Sequence, residues 1–190
     1  MYLEQSKKRD HKIYITDIAI KKVEKINIAD FTQKQNNFLN QVHEEVLRIA
    51  KEKNNSDEVA IVYNLHTLEK VIVLGETDYV NTEENIEVKA LQHNSYMQEL
   101  VMSHNHPSTT NFSFADIDYF INNDFLLLLS VVTNQGEVYL LIKTDRYDYN
   151  KIVELENGLI KKYTLTHQNE IAEKFINECY KGGIEYVKGK

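Results

Sequence analysis

Apolar residues recur at three- and four-residue steps between Asp30 and Lys53. Phe31, Phe38, Leu39, Val42, Val46 and Ile49 fall on one side of a helix there. Asn54, Asn55 and Ser56 end that pattern in a polar turn. From Glu58 to Asn64 the period drops to two, with Val59, Ile61 and Tyr63 on one face. A polar turn over His66–Glu69 leads to a second strand at Lys70–Gly75, so the pair reads as a β-hairpin. Asn81–Asn94 reads as a helix with Ile86, Ala90 and Leu91 inward. Glu99–Ser103 reads as a short apolar strand, and Phe114–Asn122 as a helix with Ile117, Phe120 and Ile121 as its stripe. Leu126–Thr133 is continuously apolar and suits a central strand; Asn134-Gln135-Gly136 returns the chain into Glu137–Lys143. The tail from Asn150 to Tyr180 is helical, with a break near Tyr163–Thr166, and Gly182-Gly183 terminates it. Before the long helix, Ile13, Tyr14, Ile15 and Ile18 suggest a short strand or a packed arm. This order predicts an α/β domain, a mixed sheet covered by helices.

A length of 190 residues argues for one domain, and 42% hydrophobic with 27% charged residues is a globular balance. The single cysteine, Cys179, rules out an internal disulfide and a multi-cysteine zinc site; on its apparent helix it reads as a small buried hydrophobe. No apolar run approaches the roughly 20 residues of a membrane span. Met1–Lys12 is polar and lacks the apolar stretch of a secretory signal. A cytoplasmic setting is the resulting expectation. The net charge of -7 disfavours broad binding to nucleic acid.

The segment that carries chemistry is Ser103-His104-Asn105-His106-Pro107, followed by Ser113 and Asp116. Side chains two apart on an extended segment point the same way, so His104 and His106 can aim at one point. Asp116, near the start of the next helix, can turn back toward the strand end. Two imidazoles and a carboxylate leave a fourth position for water, the layout of catalytic rather than structural zinc. Iron, manganese or nickel also suit nitrogen and oxygen donors. Each piece has a plainer reading: packed histidines, a helix N-cap at Ser113-x-x-Asp116, a strand stop at Pro107. Their conjunction within fourteen residues is what stands out. Asn105 points away from its flanking histidines and takes no catalytic part. His11, His66, His93 and His167 lack partners at ligand spacing and read as surface groups. His43-Glu44-Glu45-Val46-Leu47 begins like H-E-x-x-H but has Leu47 at the second histidine position.

His-x-His-Pro followed by Ser-x-x-Asp, with a glutamate opening an upstream strand, resembles the JAMM (MPN+) zinc metalloprotease superfamily. The run Ser103–Ser108 is most similar to its bacterial RadC-like JAB branch. Pro107–Phe112 supplies six residues between the second histidine and the serine where the family has seven, a shorter loop similar to that of phage and mobile-element JAB domains. The resemblance implies a JAB/MPN-like layered domain of deaminase-like architecture over 29–145. An N-terminal arm (1–28) would precede it, and a C-terminal helical extension (146–190) would pack on the same domain. It implies Zn2+ held by His104, His106 and Asp116. Glu58 would take a proton from water and pass it to the leaving amine; Ser113 would donate to the oxyanion. Glu44, Glu45 and Glu76 are weaker choices for the catalytic carboxylate. The implied reaction is hydrolysis of a peptide or isopeptide bond in a protein or peptide substrate, with ubiquitin-like proteins among the candidates. The alternatives are a phage or mobile-element binding or structural protein, and a RadC-like accessory of DNA metabolism.

Overall fold

The computed structural model describes residues 12–190. The polar start, Met1–His11, and with it the reading of His11, lies outside them. Six strands form one mixed sheet in the order β2-β1-β3-β4-β5-β6. They are β1 (Val59–Asn64), β2 (Lys70–Leu74), β3 (Leu100–His106), β4 (Leu126–Thr133), β5 (Val138–Lys143) and β6 (Ile184–Lys188). Only β3 and β4 run parallel; every other neighbouring pair is antiparallel. A parallel pair needs a crossover, and helix α4 (Phe114–Asn122) supplies it. The N-terminus of α4 therefore lies at the C-terminal end of β3.

One face of the sheet is covered by α2 (Gln33–Lys53), whose Leu39, Val42, Val46, Leu47 and Ile49 pack on Ile61, Val101, Leu128 and Leu140. A capping box between Thr32 and Gln35 starts this helix three residues later than the apolar spacing suggests, leaving Phe31 to pack from the preceding turn. The opposite face carries α3 (Ile86–His93), α4, α5 (Tyr149–Tyr163) and α6 (Gln168–Glu178) over a second core containing Met102, Phe120, Leu129, Leu141 and Phe175. The result is a layered α/β domain with helices on both faces of the sheet. Among the described residues no helix is long and apolar enough to cross a membrane.

Four sequence expectations need correction. Of the two readings of Ile13–Ile18 the strand is not formed: the segment packs as an arm through buried Ile15, and Thr16 caps a short helix α1 (Asp17–Lys21). Helix 81–94 shrinks to Ile86–His93 because Asn85 caps it there. Its inward residues are Val88 and Leu91, while Ile86 is 80% exposed. β3 continues to His106 despite its polar end, because those side chains are buried and paired. In the tail, the break falls at Thr164 (φ 61°), inside the expected Tyr163–Thr166. The tail also does not end at the glycines: after a 3₁₀ turn at Cys179–Gly182, Gly183 takes a left-handed conformation (φ 79°) and β6 joins the free edge of β5. A Cβ at Gly183 would stand 2.3 Å from the Arg146 carbonyl oxygen, so this turn requires glycine.

Candidate metal centre

The strand pleat places His104 and His106 on the sheet face that also carries Met102, and the start of α4 brings Asp116 to meet them. His104 Nε2 lies 3.1 Å from His106 Nε2 and 3.1 Å from Asp116 Oδ1; His106 Nε2 lies 3.3 Å from Asp116 Oδ2. Among the described residues this is the one group of three or more His, Cys, Asp or Glu side chains positioned to share an ion.

The surrounding hydrogen bonds fix these side chains. Pro107 ends β3. Ser108 Oγ then accepts from Thr110 N at 3.2 Å, closing a turn that returns the Thr110 carbonyl to His106 Nδ1 at 3.1 Å. A carbonyl can only accept, so His106 carries its proton on Nδ1 and presents the Nε2 lone pair to His104 and Asp116. Asp116 is held by the capping box of α4. Its Oδ2 accepts from Ser113 N at 2.7 Å and from Ser113 Oγ at 2.6 Å, while its own N–H donates to Ser113 Oγ at 3.1 Å. Oδ1 is thereby left to His104 alone, while Oδ2 faces both Ser113 and His106. His104 Nδ1 is buried and has no hydrogen-bond partner among the described residues.

Behind the histidines the strand end is clamped by amides. Asn105 Oδ1 accepts from Val59 N at 2.8 Å, and its Nδ2 donates to Asn134 Oδ1 at 2.8 Å. Asn134 in turn donates to the carbonyls of Ile13 and Ser56. Asn105 thus points away from the site, as its position in the alternation requires.

With Nδ1 of His106 protonated, its Nε2 lone pair faces a carboxylate oxygen and the Nε2 of His104. A proton on either ring, or a metal ion, can sit between these acceptors. The spacing fits a metal: donors about 2.0–2.1 Å from a tetrahedral ion lie about 3.3 Å from one another, close to the 3.1 Å from His104 Nε2 to both His106 Nε2 and Asp116 Oδ1. Two imidazoles and a carboxylate without thiolate suit zinc, and the paired His106 Nδ1 and Asp116 Oδ2 are the outer partners that orient such ligands. Without a metal the protons must do that work. Burial alone would lower the His106 pKa, yet the Asp116 hydrogen bond and charge outweigh it and raise the group. Burial would likewise raise Asp116, but His104 and His106 hold it well below the usual carboxylate range.

Glu58 immediately precedes β1. The antiparallel register pairs Ala60 with His104, so Glu58, two residues back, shares that face toward the His106 end of β3. It is 8% exposed, and its carboxylate has no hydrogen-bond partner among the described residues. Burial does most to push its pKa up to about 8; His106 opposes that, and the charges of Asp116, Asp78 and Asp57 add to it. Glu58, His106, Ser113 and Asp116 all line one cleft of about 990 Å³. No protein-family model, curated protein or solved structure matches this chain.

The five residues singled out in the sequence therefore converge on one place. His104, His106 and Asp116 make mutual contacts, Ser113 grips Asp116, and Glu58 faces the same cleft. Glu44 and Glu45 lie on α2, across the sheet, and form ion pairs with Lys25 and Lys70. Two contributors had no sequence signal. The Thr110 carbonyl is main chain, which residue type does not reveal. The segment 77–83, which forms one wall of the cleft, reaches it only through tertiary packing.

Proposed function

We propose that this chain is a metal-dependent hydrolase of peptide or isopeptide bonds, of the JAMM type, with a JAB/MPN-like layout of sheet and helices. The observation that carries the reading is the meeting of three fixed donors from β3 and α4 at 3.1–3.3 Å beside a buried, unpartnered glutamate in an open cleft. His104, His106 and Asp116 would hold the ion, zinc by its donor set. Such an ion makes water acidic near neutrality and polarises a carbonyl. Glu58 then takes a proton from the attacking water and delivers it to the leaving amine. Its raised proton affinity suits delivery, and a nearby divalent cation draws it back toward the ionised form that accepts. Ser113 acts first as a positioning residue. Its single hydroxyl proton goes to Asp116, so donating to a substrate oxyanion requires that bond to break.

The test is hydrolysis by the zinc-treated chain of a mixed pool of linear peptides and lysine-isopeptide pairs, read by mass spectrometry as the gain of one water. Glu58→Gln should bind metal as fully as the parent and lose at least about 100-fold in rate. Undiminished cleavage by that variant would move the proton-transfer role to another group. No cleavage by the metal-loaded parent would count against the hydrolase itself.

A further inference from the structure

The charged residues lining the cleft are mostly acids: its lysine, Lys12, is paired with Asp57 at 2.6 Å. One wall is the segment 77–83, which contributes Asp78 and Glu83; the other is α4, which contributes Asp118. The walls are tied together where Thr82 Oγ1 donates to the Tyr119 hydroxyl at 3.0 Å. Asp78 and Glu83 form no ion pair or side-chain hydrogen bond among the described residues, and Asp118 accepts only from Asn122. Glu58, more than nine-tenths buried and without a partner, faces the same space. Some acids elsewhere are matched, as Asp17 is with Lys51 and Glu45 with Lys70, and others stand singly on exposed helix faces; the cleft differs in gathering several on facing walls. Unmatched carboxylates on both walls of one cleft repel each other and focus a negative potential where a substrate would lie. Tyr79, 61% exposed, adds an aromatic face at the same wall, and Val80 adds apolar surface.

We propose that the cleft selects a basic peptide segment, with Lys or Arg side chains flanking the reacting bond held between Asp78 and Glu83 on one side and Asp118 on the other. The ammonium or guanidinium heads meet the carboxylates, and their methylene stems lie along Tyr79 and Val80. In calling the peptide a substrate the proposal rests on the hydrolase reading; the cleft's preference for cations does not.

The experiment measures fluorescence anisotropy of labelled hexalysine, hexaserine and hexaglutamate peptides with the full, zinc-treated chain at about 0.15 M salt. Hexalysine should bind about tenfold more tightly than hexaserine, and hexaglutamate should not bind. Asp78→Asn with Asp118→Asn should weaken hexalysine binding about fivefold, and Glu83→Gln should weaken it further. Glu154→Gln with Glu170→Gln removes the same charge at exposed helix positions outside the cleft and should change it less than about twofold. Equal losses in both pairs would reduce the effect to overall acidity and overturn the proposal, as would equal affinity for hexaserine. Circular dichroism of each variant identifies any that fail to fold, and the Glu83→Gln comparison then decides alone. Selective hexalysine binding without cleavage of any peptide would sustain the cleft assignment and defeat the hydrolase. Cleavage with equal KM for basic and neutral peptides would do the reverse.

Discussion

Ser113 shows how one short side chain can serve folding and chemistry together. Its Oγ accepts the Asp116 N–H, starting α4 cleanly, and gives its proton to the carboxylate that faces the histidines. Ser113→Ala should therefore cost about 1 kcal/mol as a lost cap, seen as a lower urea midpoint. It should also weaken zinc binding at least about tenfold in a chelator competition, because Asp116 loses the bond that orients it. Unchanged affinity alongside the lost stability would limit Ser113 to capping. The meeting of His104, His106 and Asp116 was legible in the sequence for a local reason. His104 and His106 are two apart on a strand and Asp116 is three past a capping serine, so neighbouring backbone alone fixes where they point. The Thr110 carbonyl that sets the His106 tautomer carries no side-chain signature and becomes visible only in the folded turn.

At the scale of elements, the contact between α2 and the sheet hides a third buried histidine. His43 is fully buried, and its Nε2 lies 3.1 Å from Ser130 Oγ, which donates to Ser103 Oγ at 2.6 Å on the sheet face opposite His104 and His106. Burial, helped by the charge of Lys25, drives its pKa from 6.5 down to about 3. The unfolded chain therefore takes up this proton before the folded one does. Stability from this residue is full above pH 6.5 and is lost as pH falls toward about 3. Between about pH 7.5 and about pH 5 the loss is about 2 kcal/mol. Urea titrations of the parent and of His43→Leu at those two pH values should show this difference only in the parent. An equal pH dependence in both would exclude His43 as its source. Sequence reading erred where element ends depend on distant partners. The polar run His104-Asn105-His106 looked like a strand end, yet Val59 N bonds Asn105 Oδ1 and keeps it in the sheet. Ile184–Lys188, short and half polar, became a strand only because β5 offered a free edge. Helices α4 and the strand β4 were legible because their apolar periods are strong and local.

Across the whole molecule, the crossover from β3 through α4 to the parallel β4 is what creates the site. It sets a strand end, a helix start and the adjoining start of β1 at one end of the sheet. The sequence pattern gave the layers but not the wall formed by 77–83, so the charge of -7 was read as a global property. In the folded chain part of that charge is gathered, unpaired, along the cleft beside the histidines. The central claim is that His104, His106 and Asp116 hold one metal ion. It is tested most directly by the zinc content of the dialysed full-length chain, measured by mass spectrometry of the metal after zinc treatment, beside His104→Ala with His106→Ala. The account predicts about one equivalent in the parent and almost none in the double variant. Less than about half an equivalent in the parent, or equal zinc in both proteins, would contradict it.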